Sequence, residues 1–149
     1  MEKIYLDTSV VSAYFDSRQP QRQKDTQRFW KSALPAYVAL VSEITIQELK
    51  NTPNPKRRSR LLHLVRDWKV LNLTLQAQDL AHAYMADGIF PRRYLSDALH
   101  VAIATLGQTA YLVSWNFEHL VKVKTRHKIN AINAARNLPT IEIVSVLEL

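Results

Sequence analysis

Cysteine is absent from the 149 residues, which excludes disulfides and zinc-thiolate sites alike. Glycine is scarce too: two residues are too few for a collagenous, linker-rich or low-complexity chain. No apolar run approaches the roughly 20 residues that a membrane-spanning helix needs. The opening MEKIYLDT carries a strand pattern in place of the basic and long apolar regions of a signal peptide. A cytoplasmic protein with no membrane association is the expectation. A Walker phosphate loop is missing, and the five histidines show no zinc-binding pattern. Acidic charge is the minority sign, 13 Asp and Glu against 20 Lys and Arg, and the resulting +7 favours an anionic partner, RNA or DNA ahead of a membrane surface. What is present, a 47% hydrophobic fraction over this length, suits one compact domain spanning 1–149 with a single core.

Short strands are expected at Lys3–Leu6, Tyr37–Val41, Val70–Leu73, Ala110–Val113 and Ile141–Val144, with helical patterns between most of them. PQRQKDTQRFWKSAL is polar and helical, with an apolar edge of Phe29, Trp30, Ala33 and Leu34. SEITIQELK reads as a helix capped by Ser42, although Ile44, Thr45 and Ile46 also suit a strand. NTPNP breaks the chain, and KRRSRLLHLVRDW resumes as an amphipathic helix with Leu61, Leu62, Leu64, Val65 and Trp68 inward. LQAQDLAHAYMADG is stopped by Gly88, YLSDALHVAIATLG is an almost wholly apolar helix closed by Gly107, and KTRHKINAINAARN is a basic helix before the last strand. Strands alternating with helices, joined by crossovers too long for hairpins, predict an α/β sandwich with a parallel sheet.

Three acids fall at related places in this pattern. Asp7 ends the first strand, Glu48 lies in the helix after the second, and Asp97 lies in the first turn of the apolar helix before the fourth. In βα units the carboxyl ends of strands and the N-termini of helices share one edge, where open α/β sheets place their active sites. Glu48 stands about 9 Å up its helix, and its long side chain can point back. The segment LVSWNFEHL brings Ser114 and Asn116 to the same edge. Two ionised carboxylates at about 4 Å repel by roughly 4 kcal/mol at an effective dielectric near 20, so such a cluster takes up protons, spreads apart, or binds a cation. Oxygen ligands without cysteine favour Mg²⁺ or Mn²⁺, which retain waters, contact phosphates and assist phosphodiester hydrolysis. Each residue also has a purely structural reading: Asp7 as a helix cap, Asp97 as favourable first-turn charge, Glu48 as a solvated helix residue, Asn116 as a turn former.

The segments IYLDTSVVSAYFD, VSEITIQEL, SDALHVAIA, YLVSWNFEHL and IEIVS, in that order, resemble a PIN domain, particularly the bacterial VapC-like toxin branch. The resemblance covers nearly the whole chain. It implies a three-layer sandwich with a mostly parallel central sheet flanked by helices, and a metal-dependent endoribonuclease acting on RNA, the toxin of a toxin-antitoxin pair. On this resemblance Asp7, Asp97 and Glu48 are the metal-binding and catalytic acids. Asn116 takes the place where many relatives carry another acid; its amide orients water but brings no negative charge. Thr8 and Ser114 fit as hydrogen-bonding support for the carboxylates. A small antitoxin whose segment occupies the groove, and a homodimer, are the implied partners. The alternative is a catalytically weak or inert PIN-like module that binds RNA or protein, kept open by Asn116.

Lys56, Arg57, Arg58 and Arg60 form the densest basic run, and together with Arg92 and Arg93 they are candidate phosphate contacts; a solvated helix face is the plainer reading. Trp30 and Trp68 belong to apolar helical faces. Trp115 lies beside the acidic cluster, where stacking on a base is an alternative to burial. His100, one turn after Asp97, is expected to pack or to make a structural hydrogen bond.

Overall fold

The computed structural model describes residues 1–149. Five strands, β1 (Lys3–Leu6), β2 (Val38–Ser42), β3 (Lys69–Leu71), β4 (Tyr111–Val113) and β5 (Glu142–Val144), form one sheet in the order β3-β2-β1-β4-β5. Every pairing is parallel, so the expected mostly parallel sheet is wholly parallel. Seven helices cover it: α1 (Thr8–Ala13), α2 (Pro20–Ser32), α3 (Glu43–Lys50), α4 (Pro55–Leu64), α5 (Leu75–Ala86), α6 (Leu95–Leu106) and α7 (Val123–Ala135). None is long and apolar enough to cross a membrane.

Strand periodicity decides which helices lie where. In β1 the side chains of Ile4 and Leu6 join a core with Val10, Phe29, Leu49, Leu61 and Val65, contributed by α1 to α4 and the residue following α4. Tyr5, between them, joins the opposite core with Leu80, Tyr84, Val101, Ala102 and Ile129 of α5, α6 and α7. Being central and covered on both faces, β1 buries Ile4, Tyr5 and Leu6 completely, as parallel strands do.

Helix ends follow local chemistry. Ser42 Oγ accepts from the Ile44 and Thr45 amides at 3.2 and 3.4 Å, while Thr45 Oγ1 accepts from the Ser42 amide at 3.3 Å; this reciprocal cap settles SEITIQELK as helix. Asn54 caps α4 through the Arg57 amide at 2.9 Å, with Pro55 at the first helical position. Gly88 takes φ +76° just beyond α5. After α6 the left-handed residue is Gln108, with φ 56°, and Gly107 matters for closeness: a Cβ there would meet Leu71 Cδ1 at 2.7 Å. Of the apolar residues in KRRSRLLHLVRDW, Leu61 and Val65 are buried; Leu62, Leu64 and Trp68 are half-buried because α4 stops at Leu64. Trp30 and Trp68 stack on each other with centroids 5.2 Å apart.

The strand order reverses direction beside β1. From β1 the chain steps to β2 and β3 on one side, then crosses to β4 and β5 on the other. The crevice outside the carboxyl ends of β1 and β4 is therefore the switch point at which open α/β sheets bind ligands.

Candidate active site

Asp7 follows β1 and Ser114 to Asn116 follow β4, so both segments open into the switch-point crevice. Asp7 is 4% exposed. It serves as the α1 cap, its Oδ1 accepting from the Val10 amide at 3.3 Å and from Ser9 Oγ at 2.6 Å. The charge of His100, a bond from Ser114 and those two bonds favour its ionised form, yet burial outweighs them and raises its pKa above the usual carboxylate value. Asp7 therefore caps α1 at the carboxyl edge of the sheet, beside the switch point.

Asp97 enters from the first turn of α6. Its pKa is raised to about 6, first by burial and then by the negative charge of Asp7, with His100 and His119 partly offsetting and Glu48 adding to the rise. Asn116 Nδ2 donates to Asp97 Oδ2 at 3.2 Å, while Asn116 Oδ1 accepts from the His119 amide at 2.9 Å. Asn116 thus shapes the turn after β4 and supports Asp97 at once. An aspartate in its place would give Asp97 another anion to face where it now has a donor.

Glu48 lies under different conditions. It reaches back from α3, and its Oε1 accepts from Thr8 Oγ1 at 2.9 Å and pairs with His100 Nε2 at 2.7 Å. Burial acts to raise its pKa, but the hydrogen bond and charge of His100 and the bond from Thr8 prevail and hold it below the usual range. The imidazole of His100, 3% exposed, is pinned at its other end: Nδ1 is 2.6 Å from Tyr5 Oη. Tyr5 Oη donates in turn to Ser42 Oγ at 2.7 Å. One continuous hydrogen-bonded chain, Ser42–Tyr5–His100–Glu48, buried up to the partly exposed Glu48, links the N-cap of α3 to a carboxylate of the same helix. Burial pushes the Tyr5 phenol well above its ordinary value, so it stays neutral.

Of the residues the sequence offers as candidates, the fold brings Asp7, Glu48, Asp97, Asn116, Thr8 and Ser114 to one edge. The hydroxyl of Ser9 was missed. It joins the two strand ends, donating to Asp7 and accepting from the Trp115 amide at 2.9 Å; two hydroxyls in succession after Asp7 were the available signal. The role of Tyr5 was also missed, because period-2 alternation shows only which face a side chain takes. Ser114 Oγ accepts from the Asn116 amide at 2.9 Å and lies 3.5 Å from Ser9 Oγ. Trp115 is buried, its indole N–H donating to Thr26 Oγ1 at 2.9 Å, so its ring cannot stack on a base. In the basic run, Arg57 donates to the carbonyls of Ser12 and Phe15, and Arg58 to that of Thr52. Arg60 lies over the Phe15 ring, Lys56 is exposed beside it, and Arg92 and Arg93 are exposed just before α6.

The oxygen donors fit a hard divalent cation, and a half-buried Asp97, raised by burial and then by the charge of Asp7, is the conflict that such a cation would relieve. The side chains as placed do not form a three-ligand cage. Local bonds hold Asp7 Oδ1, Glu48 Oε1 and Asp97 Oδ2 to Ser9, Thr8 with His100, and Asn116 respectively.

A wholly parallel sheet of order 3-2-1-4-5 with an acidic, hydroxyl-supported crevice at its switch point defines the class of α/β proteins to which this molecule belongs. More particularly, the family model for the PIN domain matches residues 4–116, and the chain belongs to that family. Among solved structures it is similar to the Mycobacterium tuberculosis toxin VapC20, described as cleaving the sarcin-ricin loop, with 16% identity, a TM-score of 0.60, and coverage of 78% of this chain and 92% of that one. FitAcB from Neisseria gonorrhoeae is similar at 14% identity and a TM-score of 0.63, covering 98% and 99%. VapBC-5 from Mycobacterium tuberculosis, a member of the VapBC family of toxin-antitoxin systems, is similar at 17% identity and a TM-score of 0.59, covering 97% and 99%. A search of curated proteins found no match.

Proposed function

We propose that this protein is a divalent-metal-dependent endoribonuclease that hydrolyses RNA phosphodiester bonds, acting as the toxin of a toxin-antitoxin pair. The observation that carries the reading is the Asp7–Asp97 pair: one buried and one half-buried carboxyl, both raised in pKa first by burial and with no salt bridge to either, at the carboxyl edge of the parallel sheet. Membership in the PIN family and the likeness to a toxin named for cleaving the sarcin-ricin loop support it.

In this reading Asp7 and Asp97 hold Mg²⁺ or Mn²⁺, with Glu48 as a further ligand or as the carboxylate that orients an attacking water. The ion, when bound, supplies an activated water and stabilises charge at the phosphodiester. His100 and Thr8 hold Glu48 as an anion at one oxygen. Ser9 and Ser114 support Asp7, and Asn116 holds Asp97 by its amide. Lys56, Arg60, Arg92 and Arg93 are proposed RNA phosphate contacts; the guanidinium bonds of Arg57 and Arg58 to backbone carbonyls give those two a structural part instead. A small antitoxin occupying the crevice and a homodimer are the proposed partners, in line with the toxin-antitoxin system to which VapBC-5 belongs.

The test is cleavage of a mixed structured-RNA pool by the purified protein in Mg²⁺, in Mn²⁺ and in EDTA, beside Asp97→Asn. Metal-dependent cutting that the variant loses supports the proposal. Asn116 favours a second reading, an inert PIN module, and saturable RNA or partner binding without cutting would select it.

A further inference from the structure

We propose that Arg22 and the small cavity it shares with Ser9 and Trp115 form a subsite for one nucleotide of single-stranded RNA, next to the phosphodiester held at the acidic crevice. The inference rests on the ribonuclease reading above. The cavity, about 200 Å³, is lined by Ser9, Ser12, Asp16, Gln19, Arg22 and Trp115. It is smaller than the roughly 300 Å³ at which drug-sized pockets begin, and so it suits part of one nucleotide, a phosphate and the edge of a base, with the remainder outside the cavity.

Three observations join this cavity to the site and give it a ligand. Ser9 belongs to both: its hydroxyl donates to Asp7 at 2.6 Å and also lines the cavity wall. The cavity and the acidic crevice are therefore one hydrogen bond apart. Arg22 is half-buried with its guanidinium 5.1 Å from the Trp115 ring centroid, and the ring is itself fixed by the Thr26 hydroxyl and, through the backbone, by Ser9. That stacking holds the planar fork in place. Finally, the guanidinium makes no ion pair and no hydrogen bond within the chain, in contrast to Arg57 and Arg58. Asp16, the one acid in the wall, is engaged by Arg18 through two bonds of 3.0 and 3.2 Å and does not neutralise Arg22. A fixed arginine with free donors, flanked by Ser12 and Gln19, matches a phosphate together with the polar edge of a base.

The experiment uses the full chain carrying Asp97→Asn, so that RNA remains intact, and reads the fluorescence anisotropy of a labelled single-stranded oligonucleotide in EDTA over a series of salt concentrations. Three second-site variants are compared: Arg22→Gln, Arg22→Lys, and Arg28→Gln, which removes the same charge from an exposed position of α2 outside the cavity. Arg22→Gln is expected to weaken binding about tenfold and to reduce the salt slope by about 0.7, the value of one phosphate contact on a single strand. Arg22→Lys should restore most of that slope. Arg28→Gln should do neither. Equal losses in Arg22→Gln and Arg28→Gln overturn the subsite, as does an unchanged affinity in Arg22→Gln, which would leave the guanidinium to a carboxylate of a protein partner. Cleavage by the chain with Asp97 intact separates the two readings. Metal-dependent cutting with an unaltered KM in Arg22→Gln overturns the subsite alone, whereas Arg22-dependent RNA binding without any cutting supports the subsite and overturns the nuclease.

Discussion

The two sides of the acidic crevice differ in how their charge is met. On the α3 side, Glu48 receives Thr8 and His100 on one oxygen, and the imidazole is braced by Tyr5 and Ser42, so the carboxylate is held below its ordinary pKa. On the β1–α6 side, Asp7 and Asp97 receive only neutral donors within bonding distance and are both raised, Asp97 to about 6. His100 thus bonds one acid directly and acts on the other two only through space. On the proposed reading, that difference assigns the external cation to Asp7 and Asp97, with Glu48 as a pre-set neighbour.

The largest expected effect is on catalysis. Asp7→Asn or Asp97→Asn should reduce RNA cleavage by more than the roughly 10–100-fold that loss of a supporting partner costs a metal site, measured as initial rates in Mn²⁺. An equally active variant would erase the distinction between the two sides.

Next in size is the braced side. His100→Ala leaves Glu48 and Tyr5 without their shared partner in a buried chain, and should destabilise the fold by about 2–3 kcal/mol. Urea denaturation monitored by tryptophan fluorescence reads this directly. Tyr5→Phe removes the far brace alone and should cost about 1–2 kcal/mol.

The unmet side should show the opposite sign. Asp97 keeps its proton up to about pH 6 in the fold, and only to the ordinary aspartate value of 3.8 once the chain unfolds. Between those values the folded chain binds more protons than the unfolded one, so stability falls as pH rises through that window and is fully present below it. Asp97→Asn should therefore stabilise the metal-free protein at neutral pH by about 1–2 kcal/mol once solvent screening of the half-buried group is allowed for. That corresponds to a rise in Tm of about 2–8 °C, absent below about pH 4. The smallest change expected is in Asn116→Asp: about 1 kcal/mol of destabilisation in EDTA from a further anion beside Asp97, offset on addition of Mn²⁺ in the same thermal scan.

Much of this contrast could be foreseen from the chain, and the part that could not has physical causes. Strand alternation and helix caps located all five strands to within one or two residues, and the positions of Asp7 after a strand and Asp97 in a first helical turn brought both to one edge, with Glu48 reaching back from the second turn of its helix. Glu48 was the least secure, since its convergence depends on a side-chain direction that helical spacing leaves open. The Tyr5–His100 brace was hidden because it joins residues 95 apart, and their meeting depends on the register of β1 against α6. Arg57 and Arg58 read as surface charge because nothing in KRRSR shows that α4 starts beside the open carbonyls of Ser12, Phe15 and Thr52. Gln108 took the left-handed position that Gly107 suggested, because the glycine is needed where α6 passes Leu71.

Cation binding led by Asp7 and Asp97, with Glu48 at most a further ligand, is tested most directly by isothermal titration of Mn²⁺ into the RNA-free protein and into Asp97→Asn and His100→Gln. A saturable site is expected in the parent, at least tenfold weaker in Asp97→Asn, and altered by less than that in a folded His100→Gln. Equal Mn²⁺ affinity in the parent and Asp97→Asn would contradict it.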